Sequence, residues 1–226
     1  MSQFDRSKLV SLADLCYQNG LYNDAIGYMK EVIQLGAPLN YEERLTIFWS
    51  YNMLKRPFYD ILYSCKDLNL NNYIRIELLT KAATAINRIC DEAIELFNTC
   101  WIKRDDSKEA VADYKTYVAL QYEDKVGCAL TEEYKQKRLN KALKLYEEAW
   151  KIANENLNPA HPVRLMQAYH FSDCSYYLNN SVDKALAFAK EAYEKGLLFL
   201  PELPEEFKHG AEQLLECLKE NVDKWS

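Results

Sequence analysis

The sequence predicts an all-α protein, and three observations carry that expectation. Apolar residues recur at helical spacing over long stretches, and no comparable run alternates with the period of two that a strand needs. Gly and Pro, six of each among 226 residues, are too few to make a flexible linker between independent domains. A single helical domain spanning residues 1–226 is therefore expected.

The clearest helix carries Ile76, Leu79, Ala83, Ile86, Cys90, Ile94, Phe97 and Trp101 in steps of three or four, one apolar stripe along about seven turns. Leu139, Ala142, Tyr146, Ala149 and Ala153 make a second stripe. Leu214, Leu218, Val222 and Trp225 make a third. Punctuation bounds the rest. Asn19-Gly20 ends a first helix, and Gly36-Ala37-Pro38 closes a second over Asp24 to Val32. Longer helices follow over Glu42 to Cys65, Tyr73 to Trp101, Ser107 to Cys128 and Glu132 to Asn154, with Pro57 expected to kink the first of them. Asn158-Pro159 and His161-Pro162 force a turn before Pro162 to Leu178, Asp183 to Leu200 and Glu205 to Trp225, with the Ser181 hydroxyl as an N-cap. Nine helices with mostly short connections predict antiparallel neighbours. Ala142, Ala149, Ala153, Ala185, Ala189, Ala192 and Gly196 permit close helix approach, while Tyr146, Trp150 and Phe188 fill wider gaps. The 17 tyrosines exceed what a core needs and can line a groove, although any one of them is more simply an amphipathic boundary residue.

Charge and cysteine usage narrow the function classes. The net charge of -6 repels a nucleic-acid backbone unless basic groups gather on one face, and the sequence contains no Lys/Arg block. No nucleic acid is expected as a partner. Seven scattered cysteines form no complete disulfide framework, which predicts a reducing, cytoplasmic setting. The longest strongly apolar run, Leu197 to Leu200, cannot cross a bilayer, so no membrane is expected either.

Catalytic constellations are missing at this level. His161, His170 and His209 stand apart from one another and from cysteine, so no metal site is expected. No C-x-x-C pair occurs, and Cys90 or Cys174 is more simply an inert core thiol than a nucleophile. Glu42 with Glu43, and Asp105 with Asp106, sit at helix starts and read as capping acids. No glycine pattern cradles a phosphate, so no cofactor is expected and the protein reads as non-catalytic. Lys55-Arg56 is a paired basic site and Arg164 opens a later helix, with solvated surface as the plainer role for all three. Tetratricopeptide repeats do not fit. Ala142 and the similar Ala185 are 43 residues apart, against the repeat's 34.

Five segments carry a family resemblance: Tyr22-Asn23-Asp24, Tyr41-Glu42-Glu43-Arg44, Asn158-Pro159-Ala160-His161-Pro162-Val163-Arg164-Leu165, Asn180-Ser181-Val182-Asp183-Lys184-Ala185 and Glu220-Asn221-Val222-Asp223-Lys224-Trp225. In this order and spacing the chain resembles the 14-3-3 family. The resemblance implies nine antiparallel helices in an L- or cup-shaped superhelix, a dimer, and a concave groove that binds phosphoserine or phosphothreonine segments of client proteins without catalysis. In that family a lysine and an arginine of the third helix and an arginine-tyrosine pair of the fifth hold the phosphate, beside asparagines of the seventh and ninth. Here the corresponding positions are Asn52 for the lysine, Arg56 for the arginine, Gln121-Tyr122 for the pair and His170 for the first asparagine. Asn221 and Trp225 match. Each lost charged contact costs about 1.5 to 3 kcal/mol, so two losses weaken a phosphopeptide by roughly two decades or more unless Lys55, Arg56 and a protonated His170 compensate. The implied clients are phosphorylated or unphosphorylated, and the alternative is a structural dimerisation partner of another family member. The resemblance implies that a homodimer or heterodimer would use Leu12, Leu15 and Leu78 as apolar contacts and Asp24 with Lys81 as a cross-chain ion pair, with Leu21 and Ala85 where the family has a second pair.

Overall fold

The computed structural model describes residues 3–65, 71–102 and 107–226, the side chains of 3–5 and 101–102 excepted. Among the described residues there are nine α-helices and no strand: α1 Gln3–Gln18, α2 Tyr22–Gln34, α3 Tyr41–Ser64, α4 Asn72–Ile102, α5 Lys108–Gly127, α6 Glu132–Asn156, α7 Pro162–Tyr177, α8 Val182–Phe199 and α9 Glu205–Trp225. A short 3-10 turn over Leu200–Glu202 joins the last two. Boundaries fall within two residues of those read from periodicity and punctuation.

The helix ends show why. Gly20 at φ +76 and Gly36 at φ +86 close α1 and α2 in the left-handed region, where a Cβ is strained. Asn40 caps α3 with a complete capping box: its side chain accepts from the Glu43 N–H at 2.9 Å, and the Asn40 N–H donates to the Glu43 carboxylate at 3.0 Å. Thr131 caps α6, and His161 Nδ1 accepts from the Val163 N–H ahead of Pro162 in the first turn of α7. Ser181 departs from expectation. No side-chain bond caps α8; the Ser181 hydroxyl turns back to the Asn179 carbonyl beside Asn180 at φ +50. Pro57 lies inside α3, and the helix runs unbroken through it. The expected acidic cap at Asp105-Asp106 lies outside the described residues.

The helices pack as two compact units, one of residues 1–105 with 127–130, the other of 106–126 with 131–226. In the first, α1, α2, α3 and α4 pack on their neighbours in sequence, around Ala25, Met29, Ile47, Phe48, Tyr51 and Phe97. Arg6 on α1 makes a bidentate contact with Glu43 at 2.7 Å through each nitrogen. Tyr51 donates to Glu92, which also receives Lys30 at 2.6 Å.

In the second unit, Ala185, Ala189, Ala192 and Gly196 form one buried stripe of α8 against Leu165 of α7 and Leu215 of α9. A Cβ on Gly196 would stand 2.6 Å from Leu215 and 2.9 Å from Leu165, so the absence of a side chain sets that approach. Tyr114, Tyr117 and Tyr146 are fully buried, which makes them core and not groove. Arg164 is also structural: its guanidinium donates to the Leu157 carbonyl at 2.9 Å and to Asn154 Oδ1 at 2.6 Å, covering the end of α6. Cys90 and Cys174 are fully buried, and burial pushes the Cys174 thiol up, as inert core thiols require.

Candidate functional site

The residues expected to recognise phosphate fall on α3, α5, α7 and α9. On α3, Asn52 is half-buried and Arg56 exposed one turn later, so the two share a face. Lys55 is only 1% exposed, so it is part of the α3 packing and not the mobile surface cation expected from its neighbour. On α5, Gln121 is fully buried and its amide donates to the Tyr117 carbonyl at 3.4 Å, a core role. Tyr122 lies beside it on a different face. It lines a cleft between α5 and α6, where the Lys125 ammonium sits 5.9 Å from its ring centroid.

The α7–α9 pair gathers the remaining candidates. Asn221 donates to Asp173 at 3.3 Å, and Trp225 stacks on Tyr176 with centroids 4.4 Å apart at an interplanar angle of 9°. His170 packs edge-on to Tyr169 at 5.0 Å. Burial pushes its imidazole down to about 4, so it is neutral near pH 7 and supplies no compensating charge. Burial also pushes the Asp173 carboxyl up, against the opposing pull of the Asn221 amide. Lys224 donates to the Tyr177 hydroxyl at 2.6 Å and holds that phenol down. Sequence reasoning missed Asp173, Tyr176 and Tyr177. Their signal was spacing, since Asp173 and Tyr177 lie at i+3 and i+7 from His170 on one helical face.

Behind this face, the Tyr146 hydroxyl donates to Glu123 at 2.7 Å. Burial raises the Glu123 carboxyl to about 8, with Asp124 and Asp173 adding repulsion. It is held largely protonated at neutral pH. Among the described residues, no group of three or more His, Cys, Asp and Glu side chains converges to hold a metal ion, and no helix is long and apolar enough to cross a membrane.

The residues assigned to dimerisation lie on α1, α2 and α4. Leu15 is 56% exposed and Leu12 and Leu78 are half-buried. Lys81 pairs within its own helix with Glu77 at 2.7 Å, and Asp24 is exposed. Leu21, Tyr73, Ile74 and Ile76 are exposed as well.

Residues 12–226 match the 14-3-3 protein family model. The chain is 30% identical over 231 residues to 14-3-3 protein 2 of Entamoeba histolytica, covering 98% of this chain and 96% of that protein. It is 27% identical over 229 residues to 14-3-3 protein beta/alpha-B of Xenopus laevis, covering 98% and 93%. Human 14-3-3 protein beta/alpha is 26% identical over 231 residues, again at 98% and 93%. A nine-helix fold matched along nearly its whole length in this way makes the chain a divergent member of the 14-3-3 family.

Proposed function

We propose that this chain is a non-catalytic, cytoplasmic adaptor that binds phosphoserine, phosphothreonine or unphosphorylated peptide segments of client proteins with a charge-depleted phosphate pocket. Family membership along residues 12–226 carries the adaptor reading. Depletion is supported by the state of the candidates: Asn52 and Gln121 bring no charge, Lys55 is buried, and His170 is neutral. Exposed Arg56 is the principal phosphate contact on this reading. Asn221 holds peptide backbone beside Trp225.

Fluorescence titration of matched phosphorylated and unphosphorylated peptides tests it. Arg56→Ala is expected to weaken the phosphorylated peptide by about tenfold or more and the neutral one by much less. Equal losses for both peptides reject the assignment of Arg56.

A second reading, a dimerisation or structural partner of another family member with little phosphopeptide binding, is favoured by the exposed Leu15, Leu21, Tyr73, Ile74 and Ile76. Lys81 would have to exchange Glu77 for Asp24 of the other chain. Sedimentation across a concentration series checks this, with the dimer expected to be lost on Lys81→Glu and regained when Asp24→Lys is added.

A further inference from the structure

Between Glu133 and Glu147, α6 carries Lys135, Lys137, Arg138, Lys141 and Lys144 and no acidic residue. Scattered along the sequence these do not form a block. Lys137, Lys141 and Lys144 stand at i, i+4 and i+7, however, and line one wall of the cleft of about 560 Å³ between α6 and the end of α5. Lys125 stands on the other wall above the ring of Tyr122. Arg138 also lines the cleft and is half-buried, and its guanidinium donates to the Lys125 carbonyl, which fixes that cation in place. Tyr134 lies along the same cleft. Asn140 does too, and its carbonyl accepts from Gln136 at 2.8 Å, leaving its amide N–H groups to donate. No carboxylate lines the cleft. Glu148, one turn beyond Lys144, pairs with Lys115 at 2.6 Å and is also drawn down by Lys144 and Lys141, so it offsets part of the positive charge at that end of the cleft.

We propose that the α5–α6 cleft is a binding site for a small organic anion bearing several phosphates. Lys137, Arg138, Lys141 and Lys144 crowd one helix face and repel one another, so a polyanion placed among them is favoured, and a chain of net charge -6 concentrates them here against its overall balance. One phosphate is matched by two such groups. Lys137 and Lys144 are about 10 Å apart along the helix, the reach of two or three phosphates on a compact scaffold. The volume falls within the range of small-molecule sites, roughly 300–1,000 Å³. A flat bilayer meets protruding lysines more readily than a half-buried, hydrogen-bonded guanidinium in a cleft, which favours a soluble ligand over a membrane surface.

Calorimetric titration of the full chain with inositol hexakisphosphate tests the site. Binding is expected to be about tenfold or more tighter than that of inorganic phosphate, and to weaken steeply with added salt. Lys141→Glu with Lys144→Glu is expected to lower the affinity by about a hundredfold. Lys190→Glu with Lys195→Glu, exposed on α8, and Arg56→Ala are each expected to leave it within about twofold. No binding at ~1 mM ligand, or an equal loss in the α8 variant or in Arg56→Ala, overturns the proposal. So does binding of the chain to phosphatidylinositol bisphosphate vesicles or to a single-stranded oligonucleotide that inositol hexakisphosphate does not displace. Displacement of either by the free polyphosphate supports it. Circular dichroism of each variant separates loss of binding from loss of fold.

Discussion

In the α1–α4 unit the buried Glu43 keeps its charge in a pair, whereas in the α5–α9 unit burial holds Glu123 and His170 neutral. In the first, Arg6 and Glu43 interlock bidentately and Lys30 keeps Glu92 below the usual carboxylate range despite its partial burial. In the second, burial raises Glu123 and lowers His170, so each gives up its charge instead of finding a partner. Lys115 with Glu148, and Arg164 on Asn154 and the Leu157 carbonyl, keep their charges, and Glu148 lies partly at the surface. The same helical fold therefore solves the problem of buried polarity in two ways. Paired charges make a unit sensitive to deletion of one partner, and neutralised groups make a unit sensitive to pH.

Breaking a pair should give the largest effect. Glu43→Ala removes both Arg6 contacts and the carboxylate half of the α3 capping box, and is expected to cost about 2–4 kcal/mol in urea unfolding. A loss under about 1 kcal/mol would mean that the pair is no stronger than a surface contact.

The neutral groups sharpen the comparison through pH. Glu123 rises from an ordinary 4.5 to about 8, so the folded state holds a proton that the unfolded state releases. Stability is then lost as pH rises from about 4.5 to about 8. His170 falls from 6.5 to about 4, so its contribution is full above 6.5 and is lost as pH drops toward 4. The two slopes oppose each other below pH 6.5, and Glu123 acts alone above it. Glu123→Gln keeps an acceptor for Tyr146 and is expected to stabilise the protein by roughly 1–3 kcal/mol at pH 8 while changing little at pH 4.5. An unchanged slope between pH 6.5 and 8 would falsify the burial of an uncharged Glu123.

The smallest effect should come from Lys30→Met. Lys30 and Glu92 are 39% and 50% exposed, and their pair is expected to contribute about 0–1 kcal/mol, diminishing with salt. A larger, salt-independent loss would place this pair in the same class as Arg6 with Glu43.

Helices and their limits were legible because each rests on local signals: the stripe from Ile76 to Phe97, the glycines at 20 and 36, the prolines around α7. What escaped depends on neighbours distant in sequence. Nothing beside Lys55 or Gln121 marks them as buried; that follows from which face of α3 and α5 packs inward. His170 reads as a potential cation until partial burial among its neighbours holds its imidazole down. Ser181 looks like a cap by residue type, yet its hydroxyl prefers a closer carbonyl at the turn before α8. The α6 lysines were hidden by helical spacing, since a charge run broken by Leu139, Ala142 and Leu143 becomes a continuous face only once the chain is wound.

The distribution of thiols turns the molecule into its own clock. Cys16 and Cys217 are partly accessible, whereas Cys65, Cys90, Cys100 and Cys128 are sequestered in the α1–α4 unit and Cys174 in the α5–α9 unit. An alkylating reagent should consume Cys16 first, then Cys217, whose thiol is held up by partial burial beside Glu220 and Glu216. The five slow sites then react only as fast as their helices open, so the mass increments separate the breathing of one unit from that of the other without any added label.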